Sequence, residues 1–139
     1  MQVYSILPIY NKISFQSKPK MSKTAIADLA VFRHHIYEYK TGIRNLFLTT
    51  EKSEYRDIII DRLKREKIDY AIHELKNGNI NVYFGAKPCV DVIRSFKNEN
   101  LREFTPEQDF MLGIMLGYDR VKECERYLKI LKGEIKLGH

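Results

Sequence analysis

Residues 69–84 read DYAIHELKNGNINVYF, and this stretch decides the fold of the chain. Apolar and polar residues alternate on both sides of Asn77-Gly78, and an Asn-Gly pair between two alternating runs is typical of a β-hairpin. Because successive side chains of a strand point to opposite faces, the apolar residues of each run share one face. The stretch therefore predicts two antiparallel strands, 69–76 and 79–84.

Upstream of the hairpin, the pattern predicts one more strand with a helix on either side of it. The run 43–50 is short and apolar, as expected of a strand. A helical stripe over 22–39 precedes it, and Ser53 can cap a helix over 54–67. The order strand, helix, strand implies a parallel, right-handed crossover. These elements predict a three-stranded mixed sheet, built from a strand-helix-strand unit plus the hairpin, with helices on one face.

The C-terminal region from residue 105 has the signature of a long helical segment. Thr105, Pro106 and Gln108 form a capping signal at its start. Apolar residues then recur at spacings of four and three, as in a heptad seam. The seam consists of Phe110, Ile114, Gly117, Val121, Cys124, Leu128 and Leu131. Gly113 and Gly117 leave open whether 105–132 is one helix or two.

Together these elements predict a single α+β domain over residues 21–139, with a long helical C-terminal region. Each element contributes its apolar positions to the predicted core. The central positions are expected to be Leu46, Leu48, Ile59, Leu63, Ile72, Val82, Phe84, Ile93, Phe110, Ile114 and Val121.

The composition is that of a globular protein. The chain has 139 residues, of which 44% are hydrophobic and 30% charged, and this length fits one domain. No apolar run approaches the roughly 20 residues of a membrane helix, so we expect a cytoplasmic protein that does not enter the membrane. Cys89 and Cys124 show no ligand spacing, which favours reduced thiols that pack in the interior.

The net charge of +6 is concentrated at the N-terminus. Residues 1–23 contain four lysines and no acidic residue, so four of the six net charges lie there. We interpret 1–20 as a basic arm, and Met21 as a possible alternative start of the chain. A nucleic-acid-binding protein concentrates its basic residues on the folded surface. This distribution disfavours nucleic acid as a partner and leaves the arm as the candidate contact for it.

Two stretches resemble a known protein family. The first runs from His34-His35-Ile36-Tyr37-Glu38 through Gly42 to Arg44-Asn45-Leu46. The second runs from Phe104-Thr105-Pro106-Glu107 through Leu116-Gly117-Tyr118-Asp119-Arg120 to Cys124-Glu125-Arg126-Tyr127. Over about residues 31–127 they resemble the uncharacterised bacterial domain-of-unknown-function family numbered twenty-twenty-three. The resemblance implies a small fold with three strands and several helices that forms homodimers, and it brings no catalytic residues.

The candidate site lies where the first helix ends and the first strand begins. It consists of His34, His35, Tyr37, Glu38 and Arg44. Adjacent histidines on a helix point about 100° apart, so they are poorly placed to share a metal, and we predict neither a metal nor a cofactor. A structural role for the histidines is favoured over a ligand role. Arg44, in an apolar strand, either pairs with Glu38 or binds an anionic ligand.

The seam predicts association, because one small domain cannot readily cover so much apolar surface. The candidate dimer-interface residues are Phe110, Ile114, Val121, Cys124 and Leu128. The favoured function is a non-catalytic homodimeric binding or regulatory module for a protein partner or a small anionic ligand. The alternative is a small enzyme that uses His34 or His35 with Glu38 and Arg44. The third possibility is nucleic-acid binding through residues 1–20.

Overall fold

The computed structural model of the chain describes residues 21–98 and 100–137. The proposed basic arm, residues 1–20, lies outside this part of the chain. The elements are α1 (Lys23–Asp28), α2 (Ala30–Lys40), β1 (Leu46–Lys52), α3 (Arg56–Arg65), β2 (Asp69–Glu74), β3 (Asn79–Gly85), α4 (Lys87–Ser95), α5 (Pro106–Met115) and α6 (Arg120–Leu131). The predicted α+β class and the helical C-terminal region are confirmed.

The three strands form one sheet in the order β1-β3-β2, and both pairings are antiparallel. The β2–β3 hairpin is confirmed, whereas the mixed sheet is wrong. β1 and β2 do run in the same direction, as the strand-helix-strand order implied, but β3 lies between them. The physical reason is burial: β3 is buried from Ile80 to Gly85, and the most apolar strand is the one that gains most from the centre of a sheet.

Helices cover both faces of the sheet, so the prediction of helices on one face is also wrong. On one face, Ile80, Val82 and Phe84 pack against α1, α2 and α3. On the other, Leu46 and Tyr83 pack against α4 and α5. Strand alternation places Tyr83 on the face opposite Val82 and Phe84, and there its side chain is fully buried. Since α5 returns over that face, the small sheet is covered on both sides.

One predicted helix is divided into two, and the helical C-terminal region, for which one or two helices were open, consists of two. The predicted helix 22–39 breaks at Leu29, which ends α1 with non-helical backbone angles. In the C-terminal region the capping box of Thr105 and Gln108 is present, and α5 ends before Gly117, whose φ is +86°. Positive φ suits glycine and ends a helix. Asp119 then caps α6 by accepting a hydrogen bond from the Lys122 N–H at 3.0 Å.

One predicted core residue, Val121, is exposed, and the break before α6 explains why. The chain turns back at Gly117, so α6 packs against α5 and does not continue it. Arg126 and Tyr127 form the contact with α5, and Val121 lies 69% exposed. Of the other predicted core positions, six are buried and four partly buried. The buried six are Leu46, Ile59, Leu63, Val82, Phe84 and Ile93, and the partly buried four are Leu48, Ile72, Phe110 and Ile114.

Candidate functional site

The last turns of α2 and the loop after it position the candidate site residues. The loop begins at Gly42, whose φ is +80°. This left-handed conformation lets the Ile43 N–H donate to the Glu38 carbonyl at 3.1 Å, which closes the helix end. The chain then turns back along α2, so that Arg44 comes beside the side chains of the last two helical turns.

Glu38 is the centre of the site. Its Oε1 lies 2.9 Å from His35 Nδ1, 3.9 Å from His34 Nε2 and 3.7 Å from Arg44 Nη2. The hydrogen bond from His35 lowers the pKa of Glu38 most, and the nearby His34 and Arg44 lower that pKa further, against the opposing effect of burial. The structure thus brings four of the five predicted side chains together, with three of them around the ionised carboxylate of the fourth, Glu38.

Tyr37 does not join this group. Its side chain is 62% exposed, and its ring stacks near that of His34, with 6.1 Å between the ring centroids. It therefore lies on the exposed side of the site, beside His34.

Arg44 connects three parts of the fold. Its Nη1 donates to the carbonyl of Leu116 at 3.1 Å, and its guanidinium lies over the ring of Phe47, 4.4 Å from the centroid. The Leu116 carbonyl is at the end of α5, where no helical N–H is available to it. A Cβ at Gly117 would come within 2.9 Å of Arg44 Cδ, so the glycine leaves room for the arginine. The two stretches that resembled a family therefore meet in space at this contact.

Sequence reasoning missed Phe47, whose ring contacts both His35 and Arg44 of the site. Phe47 is buried in β1. The centroid of the His35 ring lies 5.0 Å from the centroid of the Phe47 ring. The Arg44 guanidinium lies over the same Phe47 ring. No signal in the sequence indicated this contact, because Phe47 comes three residues after Arg44 in the predicted strand and strand alternation places two such residues on opposite faces.

A second group of acidic side chains lies on the same face of β1. The Thr49 hydroxyl donates to Glu51 Oε2 at 2.5 Å, and burial raises the pKa of Glu51, an effect that this hydrogen bond and the charge of His35 oppose. The Tyr55 hydroxyl donates to Asp28 Oδ2 at 2.6 Å, which raises the pKa of Tyr55 to about 12. Sequence reasoning gave no sign of this group, since its members come from three separate elements.

The candidate dimer-interface residues divide between two environments. Phe110 and Ile114 on α5 are half-buried, and the Phe110 ring lies 5.3 Å from that of Tyr127. On α6 four apolar residues are exposed and form a stripe, which we call the α6 stripe. Its members are Val121, Cys124, Leu128 and Leu131.

The part of the chain that the structure describes offers no group of three or more His, Cys, Asp or Glu side chains arranged to hold a metal ion. None of its helices combines the length and the apolar character needed to cross a membrane.

We expect Arg44→Ala to lower the free energy of unfolding by about 1–2 kcal/mol, because it removes a partly buried guanidinium that hydrogen-bonds a helix-end carbonyl and lies beside Glu38. Equilibrium urea unfolding measures this. Arg56→Ala is the control, since Arg56 pairs with the exposed Glu74 at 3.1 Å and its loss should change stability by about 0.5 kcal/mol or less. Equal effects of the two substitutions would contradict a structural role for Arg44.

Comparison with known proteins gives one result. A search of curated proteins found no match to the chain. A family model described as a protein of unknown function, DUF2023, matches residues 30–130. This range contains both stretches that meet at Arg44 and Leu116, and it covers most of the chain. The resemblance noted in the sequence is thereby confirmed, and the chain belongs to the DUF2023 family.

Proposed function

We propose that the protein is a non-catalytic binding or regulatory module that acts as a homodimer. The observation that carries this proposal is the α6 stripe. Val121 is 69% exposed and Leu128 is 52% exposed, although both belong to a regularly spaced apolar series. Exposed apolar surface of this kind normally marks a contact with another molecule.

A second copy of the chain is the occupant that best fits the stripe. Val121, Cys124, Leu128 and Leu131 have the alternating spacing of three and four at which two helices pack side by side. A dimer with two-fold symmetry brings the same patch of both copies together. Glu125 and Lys129, which lie beside the stripe and are exposed, would form the polar rim expected around such a contact.

We further propose that the module recognises a small anionic ligand or an acidic group of a protein partner at the Glu38 site. Three basic side chains surround its single carboxylate, so an anion would find excess positive charge there when the histidines are protonated. His34 is mostly exposed, and Arg44 retains N–H donors beyond those that contact Leu116 and Glu38. We also propose that the protein is located in the cytoplasm, because Cys89 and Cys124 are both unpaired thiols.

A small enzyme remains the second candidate, on the strength of one contact. The 2.9 Å contact of His35 Nδ1 with Glu38 is the arrangement in which a carboxylate orients a histidine for acid–base work. Incubation with a metabolite extract, followed by mass spectrometry, separates the two candidates. A compound that the unmodified protein consumes and His35→Ala does not would favour the enzyme.

We expect Leu128→Glu and Val121→Asp to convert the dimer into monomer at micromolar concentration, because each places a charge inside the apolar contact. Sedimentation equilibrium and light scattering measure the mass. Lys122→Gln is the control, because Lys122 lies on the same helix and is exposed. This substitution should leave the mass unchanged. A stable monomer of the unmodified protein at micromolar concentration would disprove the dimer.

A further inference from the structure

A cleft of about 320 Å³ lies between α5, α6, β1 and the turn at Leu101. It lies apart from the α6 stripe, and it adjoins the Glu38 site through Leu116, whose carbonyl accepts from Arg44. We propose that this cleft binds a small molecule that joins an apolar body to a protonated amine.

The inner wall of the cleft is aliphatic. It is formed by Leu48 of β1, Leu112 of α5, Leu116 just after α5, and Leu101. The volume is at the lower end of the range found for ligand sites, about 300–1,000 Å³. A single ring or a short alkyl chain is therefore the size of apolar body that fits.

The polar groups of the cleft carry an excess negative charge. Asp109 is 4% exposed and accepts from Arg126 Nε at 3.1 Å, so these two charges offset each other. Glu123 adds a second carboxylate to the lining. Among the described residues, no basic side chain lies within ion-pair distance of Glu123. The Glu123 carboxylate thus adds a negative charge to the lining of the cleft, in a chain whose net charge is +6.

Gly113 holds the Glu123 carboxylate in this position. A Cβ at Gly113 would overlap Glu123 Oε1 and lie 2.7 Å from its Cδ, so the carboxylate rests directly on the buried backbone of α5. A glutamate in the first turn of a helix is ordinarily explained by the helix dipole. That explanation does not require Glu123 to lie over a glycine and at the edge of an aliphatic wall.

An amine is the head group that this arrangement selects. An ammonium offers three donors and a positive charge, and Glu123 offers the matching carboxylate. A carboxylate ligand would be repelled by the Glu123 carboxylate, and the nearby Arg126 is already bound to Asp109. A neutral alcohol could fill the apolar part but would leave the charge of Glu123 unpaired.

The test compares three probes with the same alkyl chain: hexylamine, hexanol and hexanoate. Each is titrated into the full-length protein, and the backbone amide signals of Leu112 and Gly113 are followed by two-dimensional NMR. We expect hexylamine to bind about tenfold more tightly than hexanol, which corresponds to one added charge interaction, and hexanoate to bind most weakly. Hexanoate or hexanol binding as tightly as hexylamine, or no shift at Gly113 with any probe at millimolar concentration, would overturn the proposal.

Two substitutions test whether Glu123 causes the preference for hexylamine over hexanol. Glu123→Gln should remove the roughly tenfold advantage of hexylamine while hexanol still binds, and Gly113→Ala should have the same effect because it displaces the carboxylate. Glu134→Gln is the matched control, since Glu134 lies just after the same helix, is exposed and does not line the cleft. An unchanged preference in a folded Glu123→Gln or Gly113→Ala protein would refute the assignment.

Discussion

Gly85→Ala is expected to destabilise the protein by about 3 kcal/mol or more, because an added methyl group would overlap backbone atoms and the φ angle disfavours any side chain. Gly85 ends β3 with φ +149°, opposite Leu46 of β1. Its Cβ would overlap the Asn45 carbonyl oxygen and lie 3.1 Å from Leu46 Cα. That carbonyl is fixed by a 2.8 Å hydrogen bond from the Ala86 N–H, so it cannot move aside freely.

Gly78→Ala separates the overlap from the backbone angle. Gly78 also has positive φ, +84°, but no atom lies within 4 Å of its added Cβ. Its substitution should therefore lower stability by only about 1–2 kcal/mol, the usual penalty of the left-handed conformation. Urea unfolding of both variants measures the difference. Similar losses in the two would mean that the overlap at Gly85 is relieved by local movement.

Phe47→Ala is expected to lower stability by about 3–5 kcal/mol, the usual range for deleting a buried aromatic ring. Phe47 stacks on Phe84 with 5.5 Å between centroids and meets the ring of Tyr39 edge-on. The Arg44 guanidinium also lies over the ring of Phe47. The substitution thus leaves a cavity between sheet and helix and removes the support of the Glu38 site.

Phe47→Leu is the control, because leucine retains most of the apolar volume. It should lower stability by about 1.5 kcal/mol or less, through the lost ring contacts. Thermal and urea unfolding of both variants provide the comparison. If the leucine variant were as unstable as the alanine variant, the lost ring contacts, and not the cavity, would be the main cause of the destabilisation.

Local signals in the sequence predicted local structure well. The Asn77-Gly78 turn placed the hairpin, and the Thr105 capping signal placed the start of α5 within one residue. The convergence on Glu38 also followed from local rules, since residues three and four apart on a helix are neighbours. His34, His35 and Glu38 therefore had to lie close together once the segment was helical.

The failures concern contacts between distant segments. Nothing in 46–52 specifies which edge of the hairpin it will join, so the pairing of β1 with β3 was not predictable from its own residues. The apolar spacing from Phe110 to Leu131 correctly indicated helical structure. The chain reverses at Gly117, however, so these residues belong to two helices and do not form one continuous face. A period of three and four gives the face of a helix, but it does not say what that face will meet.

The central position of β3 also affects how the chain forms during its synthesis. The ribosome makes β1 first, but its partner strand is the last of the three to be made. The β2–β3 hairpin involves only neighbouring residues and can close as soon as 69–85 has emerged. Until then the nascent chain carries Leu46–Lys52 without a strand to pair with, and the sheet is completed by the segment that was synthesised earliest.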